Sequence, residues 1–304
     1  MPAKIKIAIL CLVTANIIWG FSYPLYKWSL ENVPPFTFAF LRFFLASFLI
    51  LPFIRHSLTI EKKDIKYLVL LSLFGITFGI SLLFLGLQHS TSINAPIVSA
   101  TGPIFLLISS LLFLHEKPQK RVIFGTCISL AGVITLVLGP IFASGLEGSI
   151  YGNLLLIFST IGGILHTILL KKIIDRNNHL TITFWSFVIG SLPLLPLVVY
   201  ESVQQGGFLI HLNSHGVIGI LFGVIFASAI AHTVNSLGIK NMKTSEVGVF
   251  SYIAPIATIL LAVPLLGEKI TPLYIFCSLL VFLGIFISEE RFHWRIWQKF
   301  HKSI

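Results

Sequence analysis

Ten stretches of this chain, each 19 to 25 residues long, hold no Asp, Glu, Lys or Arg apart from Arg42 in the second. They are residues 7–26, 32–54, 67–88, 90–114, 122–146, 148–170, 180–200, 216–239, 247–267 and 270–288. An α-helix rises ~1.5 Å per residue, so ~20 apolar residues cross ~30 Å of hydrocarbon. In lipid every backbone N–H and C=O must be paired inside the protein, which makes such runs helices. Charged residues are only 11% of the chain and mean hydropathy is +0.94; soluble domains have about 25% charged residues. The expected fold class is an all-α integral membrane protein with ten transmembrane helices. No stretch is polar enough to be a soluble domain.

The net charge of +10 invites a nucleic-acid reading, but its distribution points elsewhere. When the ten runs alternate in direction, 18 Lys and Arg fall on one side and two, Lys27 and Lys269, on the other. The heavy side carries Lys4 and Lys6, the 55–66 loop, Lys117 to Arg121, Lys171 to Arg176, Lys240, Lys243 and the basic residues after 288. That bias follows the positive-inside rule. It predicts a multi-pass protein of the cell membrane with both termini cytoplasmic, and no nucleic-acid partner. Lys4 and Lys6 ahead of an apolar run imitate a secretory signal. The run continues through Trp19 and Gly20 to Tyr26 without a small-x-small cleavage site, so it reads as an uncleaved first span. Cys11, Cys127 and Cys277 all sit in apolar runs. Their odd number and spacing suggest neither a disulfide framework nor a metal site.

Sliding the chain on itself by 152 residues brings Ser99 onto Ser251, Pro103 onto Pro255, Leu114 onto Leu266, Glu116-Lys117 onto Glu268-Lys269 and Gly132 onto Gly284. Apolar sequence gives chance Leu matches; Pro, Glu-Lys and Gly at one offset are harder to obtain by chance. Each half then holds five spans, 7–138 and 148–288. Five is odd, so the second half enters the membrane from the opposite side. Two inverted five-helix repeats are the architecture of many secondary transporters, with the solute site near the midplane between halves.

The same residues carry a family resemblance. Trp19-Gly20 in the first span, Pro34 through Arg42 in the second, Thr91-Ser92 opening the fourth, Pro103 and Leu114-His115-Glu116-Lys117 resemble the EamA-type branch of the drug/metabolite transporter superfamily. The second copy gives Ser245, Pro255 and Leu266-Gly267-Glu268-Lys269. The resemblance covers about residues 7–288. It implies a ten-helix inverted-repeat fold and the export or exchange of small metabolites, often amino acids. Two departures stand out. His115 occupies a place where the family more often has Gly, and the second half has Leu165-His166 near the place of Trp-Gly.

Polar residues in a span are costly and usually face a cavity or a partner. Asn16, Trp19, Tyr23 and Lys27 share one helical face. They read as a pore-lining stripe, or as an interfacial aromatic belt with a Lys reaching the headgroups. Trp19 lies deep in its run for a belt residue. Ser228, His232 and Asn235 share a face in the eighth span, as do Ser159, Gly163 and His166 in the sixth. Each His can contact solute, shuttle a proton or make interhelical hydrogen bonds worth ~0.6 kcal/mol on average. Arg42 either meets an anionic group of the solute or pairs with helix-end carbonyls. Asn94 and Glu246 are equivalent under the 152 offset and suggest matched gates, although a carboxylate such as Glu246 also suits a first helical turn. Pro103 and Pro255 are candidate kinks. Gly219, Gly223 and Ala227 fall four apart and admit a close helix contact.

The expected wall of a central cavity is therefore Asn16, Trp19, Tyr23, Asn94, His166, His232, Asn235 and Tyr252, with Arg42, Pro103, Glu246 and Pro255 as gate or kink positions. No GxxxxGK[ST], HExxH or GxSxG occurs, so the usual ATP-driven, metalloprotease and serine-hydrolase constellations are absent. The expected function is secondary-active transport by alternating access, without cofactor or bound metal and without enzymatic activity. Intramembrane catalysis and a channel or scaffold role are the competing classes. The expected partners are a small-molecule solute and the lipid bilayer, with a homodimer left open.

In the tail, 289–304, Arg291, Arg295, Lys299 and Lys302 would line one side of a helix, with Phe292, Ile296, Trp297 and Phe300 beside them. A helix of this kind lies in the headgroup plane, each basic residue contributing ~1 kcal/mol against an anionic leaflet. A synthetic 289–304 peptide is expected to gain helical circular dichroism with anionic vesicles. A coil-like spectrum would leave the tail as a plain basic segment.

Overall fold

The structure, a computed structural model, describes residues 3–102, 120–142, 150–204, 213–242 and 247–288. Among these residues all regular structure is helical. Six helical stretches are long and apolar enough to cross a membrane: Lys4–Ser29, Pro35–Ile54, Lys62–His89, Ile150–Ile173, His179–Gln204 and Ser214–Asn241. Three shorter apolar helices lie over Ile123–Leu136, Phe250–Leu266 and Pro272–Gly284. The fourth apolar run is described only as far as Gly102, with a short helix at Asn94–Ser99. Large apolar side chains point outwards along these helices, among them Leu10, Phe53, Phe158 and Leu260. That surface suits hydrocarbon and not water.

The elements are α1 (Ala3–Ser29), α2 (Pro35–Ile54), α3 (Ile65–Ser72), α4 (Ser81–His89), α5 (Asn94–Ser99), α6 (Lys120–Phe142), α7 (Ile150–Ile173), α8 (His179–Ser191), α9 (Leu195–Gln204), α10 (Ser214–Phe222), α11 (Ala231–Asn241), α12 (Ile253–Leu266) and α13 (Pro272–Ser288). Local chemistry fixes several ends. Pro35 opens α2 where its missing N–H has no partner to lose. Asn178 and Asn213 cap α8 and α10 by accepting from Leu180 N and Gly216 N, both at 2.9 Å. Gly267 ends α12 with φ 64°, and its N–H returns to Val263 O at 3.1 Å. That left-handed cap is where glycine is favoured.

Two long helices lose regular pairing at their centres. Leu73–Ile80, between α3 and α4, and Gly223–Ile230, between α10 and α11, are π-helical. A π turn shifts N–H pairing to the fifth residue back, widens the helix and is frequent at functional sites. The two segments lie 150 residues apart in sequence, inside the Lys62–His89 and Ser214–Asn241 stretches.

The α6–α13 pair shows how positions related by the 152 offset meet. A side chain at Gly132 would strike Cys277 O, and one at Gly284 would strike Gly125 O. Adding 152 to 125 and 132 gives 277 and 284, so the two contacts are the same contact with partners exchanged. Ser129 Oγ adds a hydrogen bond to Val281 O at 2.9 Å, again between positions 152 apart. The stripe at Gly219, Gly223 and Ala227 serves two neighbours rather than one. Gly219 faces Leu25 and Ser29 of α1, while Gly223 faces Phe38 and Arg42 of α2.

Inside the bundle, Tyr26, Phe38 and Phe84 form one aromatic cluster, with centroids 4.8–5.3 Å apart. At the opposite end from Lys27, Asp64 accepts from Arg176 Nη2 at 2.7 Å and from Asn177 Nδ2 at 2.7 Å. This ties the 55–66 loop to the turn after α7. Pro103 and Glu246, and the tail from 289, lie outside the described residues.

Gly284→Val is expected to destabilise the protein by roughly 1–3 kcal/mol, because the strike is on backbone that cannot yield. Thermal unfolding of purified protein in detergent checks this, with lipid-facing Leu283→Ala as reference. Equal melting temperatures would contradict the tight contact.

Candidate functional site

A cavity of about 290 Å³ lies between α1, α7, α11 and the first π segment. Asn16, Trp19 and Tyr23 of α1 line it together with Ser159, Gly163 and His166 of α7 and His232 and Asn235 of α11. Arg42 of α2, Gly75 and Gly79 of the π segment, Ser99 and Ser251 are further polar and small parts of the wall. Six of the eight residues expected from sequence thus converge from three helices.

Gly20 and Trp19 divide the labour on α1. Gly20 sits where a side chain would strike Ala254 and Ala257, so α1 and α12 approach closely, and Thr258 Oγ1 donates to Gly20 O at 2.8 Å. Trp19 turns the other way, and its Nε1 donates to Ala227 O at 3.1 Å. Ala227 belongs to the second π segment, whose altered pairing leaves room for a side-chain donor at its carbonyls. His232 lies edge-on to Trp19 with centroids 5.2 Å apart, and Phe43 and Phe187 approach the same imidazole at 5.7 and 5.3 Å. The ring is held by aromatic edges and faces, an arrangement worth ~0.5–1.5 kcal/mol per pair.

His166 is fixed differently. Its Nδ1 is 3.0 Å from Leu71 O. A carbonyl only accepts, so Nδ1 carries the proton and in the neutral ring Nε2 is left as an acceptor. The ring fits because residue 75 is glycine; a side chain there would occupy the imidazole's place. The two histidines lie 6.4 Å apart by centroid. The helical stripes read from sequence therefore split: Ser159, Gly163 and His166 all face the cavity, whereas Ser228 is fully buried and turns to Arg42.

Arg42 is 2% exposed. Its Nε donates to Ser228 Oγ at 2.7 Å and its Nη2 to Ala227 O at 3.2 Å. The guanidinium lies over the Tyr26 and Phe43 rings at 4.8 and 4.7 Å. Pairing with a carbonyl was one of the two expected roles, but the carbonyl belongs to a mid-helix π segment and not to a helix end.

Past Tyr26, where the lining of α1 stops, lies a polar knot. Lys27 Nζ donates to Ser90 O and sits 3.5 Å from Glu268 Oε1. Glu268 accepts from Ser92 N at 2.7 Å, Ser92 Oγ at 2.9 Å and Ile93 N at 3.1 Å. Asn94 belongs here, with its Nδ2 near Ser90 Oγ and Asn153 Oδ1. On α9, Glu201 plays the same part for α2, accepting from Phe36 N, Thr37 N and Thr37 Oγ1 at 2.7–2.9 Å. At the other end the lining reaches Ile239 and Val247, where Lys171 Nζ donates to Ile239 O at 3.0 Å.

A model of the EamA-like transporter family matches residues 6–138 and again 150–289. The chain belongs to the EamA-like transporter family. An Archaeoglobus fulgidus protein named an uncharacterized transporter is 30% identical over 273 residues, covering 90% of this chain and 95% of the relative. A second from the same organism, under the same name, is 26% identical over 93% of this chain and 98% of its own. A probable amino-acid metabolite efflux pump of Escherichia coli is 21% identical over 92% and 93%. A solved crystal structure superposes with a TM-score of 0.66 at 18% identity, covering 92% of this chain and 96% of the other; that likeness is one of fold.

In this EamA-like protein two expected cavity residues lie elsewhere. Asn94 is in the knot, and Tyr252 ends a 3₁₀ turn (Gly248–Tyr252) with its ring 6.1 Å from Phe282, while its neighbour Ser251 faces the cavity. The offset partners Ser99 and Ser251 both line the cavity, whereas the 3₁₀ turn, which rotates residues by more than an α turn does, carries Tyr252 to another face. Pro255 falls in the first turn of α12, directly after that 3₁₀ turn. It therefore sits where the 3₁₀ turn passes into the α-helix, and not in the middle of α12. Sequence reasoning missed Tyr26, the two π segments, and Glu201 and Glu268 as helix-end acceptors. Glu268 with Thr91-Ser92 was the readable hint, a carboxylate and a hydroxyl pair both at run ends.

Glu268→Gln is expected to lower thermal stability more than Lys27→Met. Glu268 satisfies three donors, each charged bond worth ~1.5–3 kcal/mol, whereas Lys27 is 29% exposed and such pairs contribute little. Melting of the two variants in detergent reads this; a larger loss for Lys27→Met would refute it.

Proposed function

We propose that this protein is a secondary carrier that moves a small polar metabolite across the cell membrane by alternating access. Ten crossing helices form two inverted five-helix repeats, with both termini cytoplasmic. The observation that carries the reading is a cavity with polar residues on three helices, bounded at the Lys27 end by a buried hydrogen-bonded knot and extending to the Lys171–Lys240 end. The charge count makes the second end cytoplasmic, so this conformation faces inwards. The repeat reading is supported by the family match to each half, the exchanged glycine contacts of α6 and α13, and the π segments 150 residues apart. Ion pairs and helix-end caps across one face, with a solute site at mid-depth, are the parts a rocking carrier needs. The Escherichia coli relative, named for amino-acid metabolite efflux, makes amino acids and related compounds the first solutes to try, in the outward direction.

Counterflow in proteoliposomes tests the reading. Saturable exchange is expected. Trp19→Ala and His232→Ala should each lower the rate by roughly fivefold or more, the effect of losing ~1 kcal/mol of solute contact, at normal levels of folded protein. Chemical turnover without translocation would instead indicate an intramembrane enzyme, and conductance that never saturates a channel.

A further inference from the structure

The guanidinium of Arg42 has more donors than the protein uses. Arginine carries five N–H groups in a rigid fork. Nε is taken by Ser228 and Nη2 by Ala227 O. Nη1 is buried and has no hydrogen-bond partner. Ring faces of Tyr26 and Phe43 offset part of the charge, yet they leave an N–H pair unmet at mid-depth. An unsatisfied buried charged donor costs more than a neutral one, and in a membrane the cost is higher still. No Asp or Glu lies on the cavity wall among the described residues; Arg42 is the only side chain there with a permanent charge. Among the described residues, the buried acidic ones are engaged elsewhere, Glu268 and Glu201 on backbone N–H groups and Asp64 on Arg176.

We infer that Arg42 is the anchor for a carboxylate of the transported solute, and that the carboxylate, not an ammonium group, is what the site requires. Nη1 donates to one carboxylate oxygen in the charge-assisted geometry that suits guanidinium. Arg42 belongs to the cavity wall, and Ser228 and Ala227 O fix its fork through Nε and Nη2 and leave Nη1 unspent, which makes Ser228 a positioning residue. Among the described residues an ammonium group finds no counter-charge on this wall. The apolar stretch of Ile76, Ile80 and Leu83 accommodates an aliphatic or aromatic remainder. This deepens the carrier reading, on which it rests for the word solute, but the binding chemistry stands on the geometry alone.

The test crosses the two charges of an amino acid. Purified full-length protein in detergent is titrated with L-leucine, 4-methylpentanoate, L-leucinamide and 4-methylpentanamide, and with acetate and 3-phenylpropanoate against their amides. Binding is read by thermal shift. Leucine and at least one simple carboxylate are expected to stabilise the protein, and the matching amides to do so at least roughly tenfold more weakly. Arg42→Gln should remove the difference, Arg42→Lys should keep part of it, and Ser228→Ala should weaken carboxylate binding without abolishing it. If Arg42→Gln fails to fold, the wild-type contrast between acid and amide still decides. Amides binding as well as acids at every size, or no response to any carboxylate, would overturn the inference. Proteoliposome counterflow with the same compounds separates it from the carrier reading. Saturable exchange of amides and acids alike would leave the carrier and remove the anchor. Acid-selective binding without any exchange would leave the anchor and remove the carrier.

Discussion

Inside hydrocarbon a carbonyl that leaves the helical ladder must find its donor within the protein. In this chain that rule is focused on Ala227. Its carbonyl lies in a π segment and accepts from Trp19 of α1 and Arg42 of α2. One backbone irregularity thereby gathers an aromatic, a cation and, one turn on, His232 at a single depth. The cavity wall is in this sense the repair of a broken helix. Remove the π segment and neither Trp19 nor Arg42 has a reason to point where it does.

Glycine sets the spacing that makes such repair reachable. Gly20 draws α1 against α12, Gly75 leaves space for His166, and Gly219 and Gly223 bring α1 and α2 onto the second interrupted helix. Gly163 meets nothing within 4 Å and faces the cavity. Interhelical contacts in membranes gain little from the hydrophobic effect and depend on close packing. These few residues thus decide which helices can share a site.

Much of the fold was legible because the bilayer permits so few solutions. Charge-free runs of the right length mark helices, and the structure places a helix in every run that it describes. The stripes at Asn16, Trp19 and Tyr23 and at His232 and Asn235 were readable too, since periodicity fixes a face and the outer faces meet lipid. What escaped is what periodicity cannot encode. A π turn changes the count of residues per turn without a mandatory residue type, and nothing in LFGITFGI or GVIFASAI announces it. Tyr252 went astray through the same weakness, a local change of helical pitch. Glu201 and Glu268 were obscured because their partners are backbone groups 164 to 176 residues away, a pairing that only the folded bundle discloses.

In the proposed carrier the carboxylates Glu268 and Glu201 have a kinetic meaning. Glu268 and Glu201 both belong to the second half of the chain, and both hold backbone N–H groups at helix starts in the first half, at Ser92–Ile93 and at Phe36–Thr37. Any motion that parts the halves on this face must first strip two buried carboxylates of their donors, and water must reach them before the bonds are fully lost. In the proposed alternating-access cycle the barrier between conformations is then concentrated in a few short bonds rather than spread over apolar contacts, which slide at little cost. For such a carrier, stability of the sealed face and speed of cycling would be drawn from the same bonds, so a tighter seal makes a slower machine.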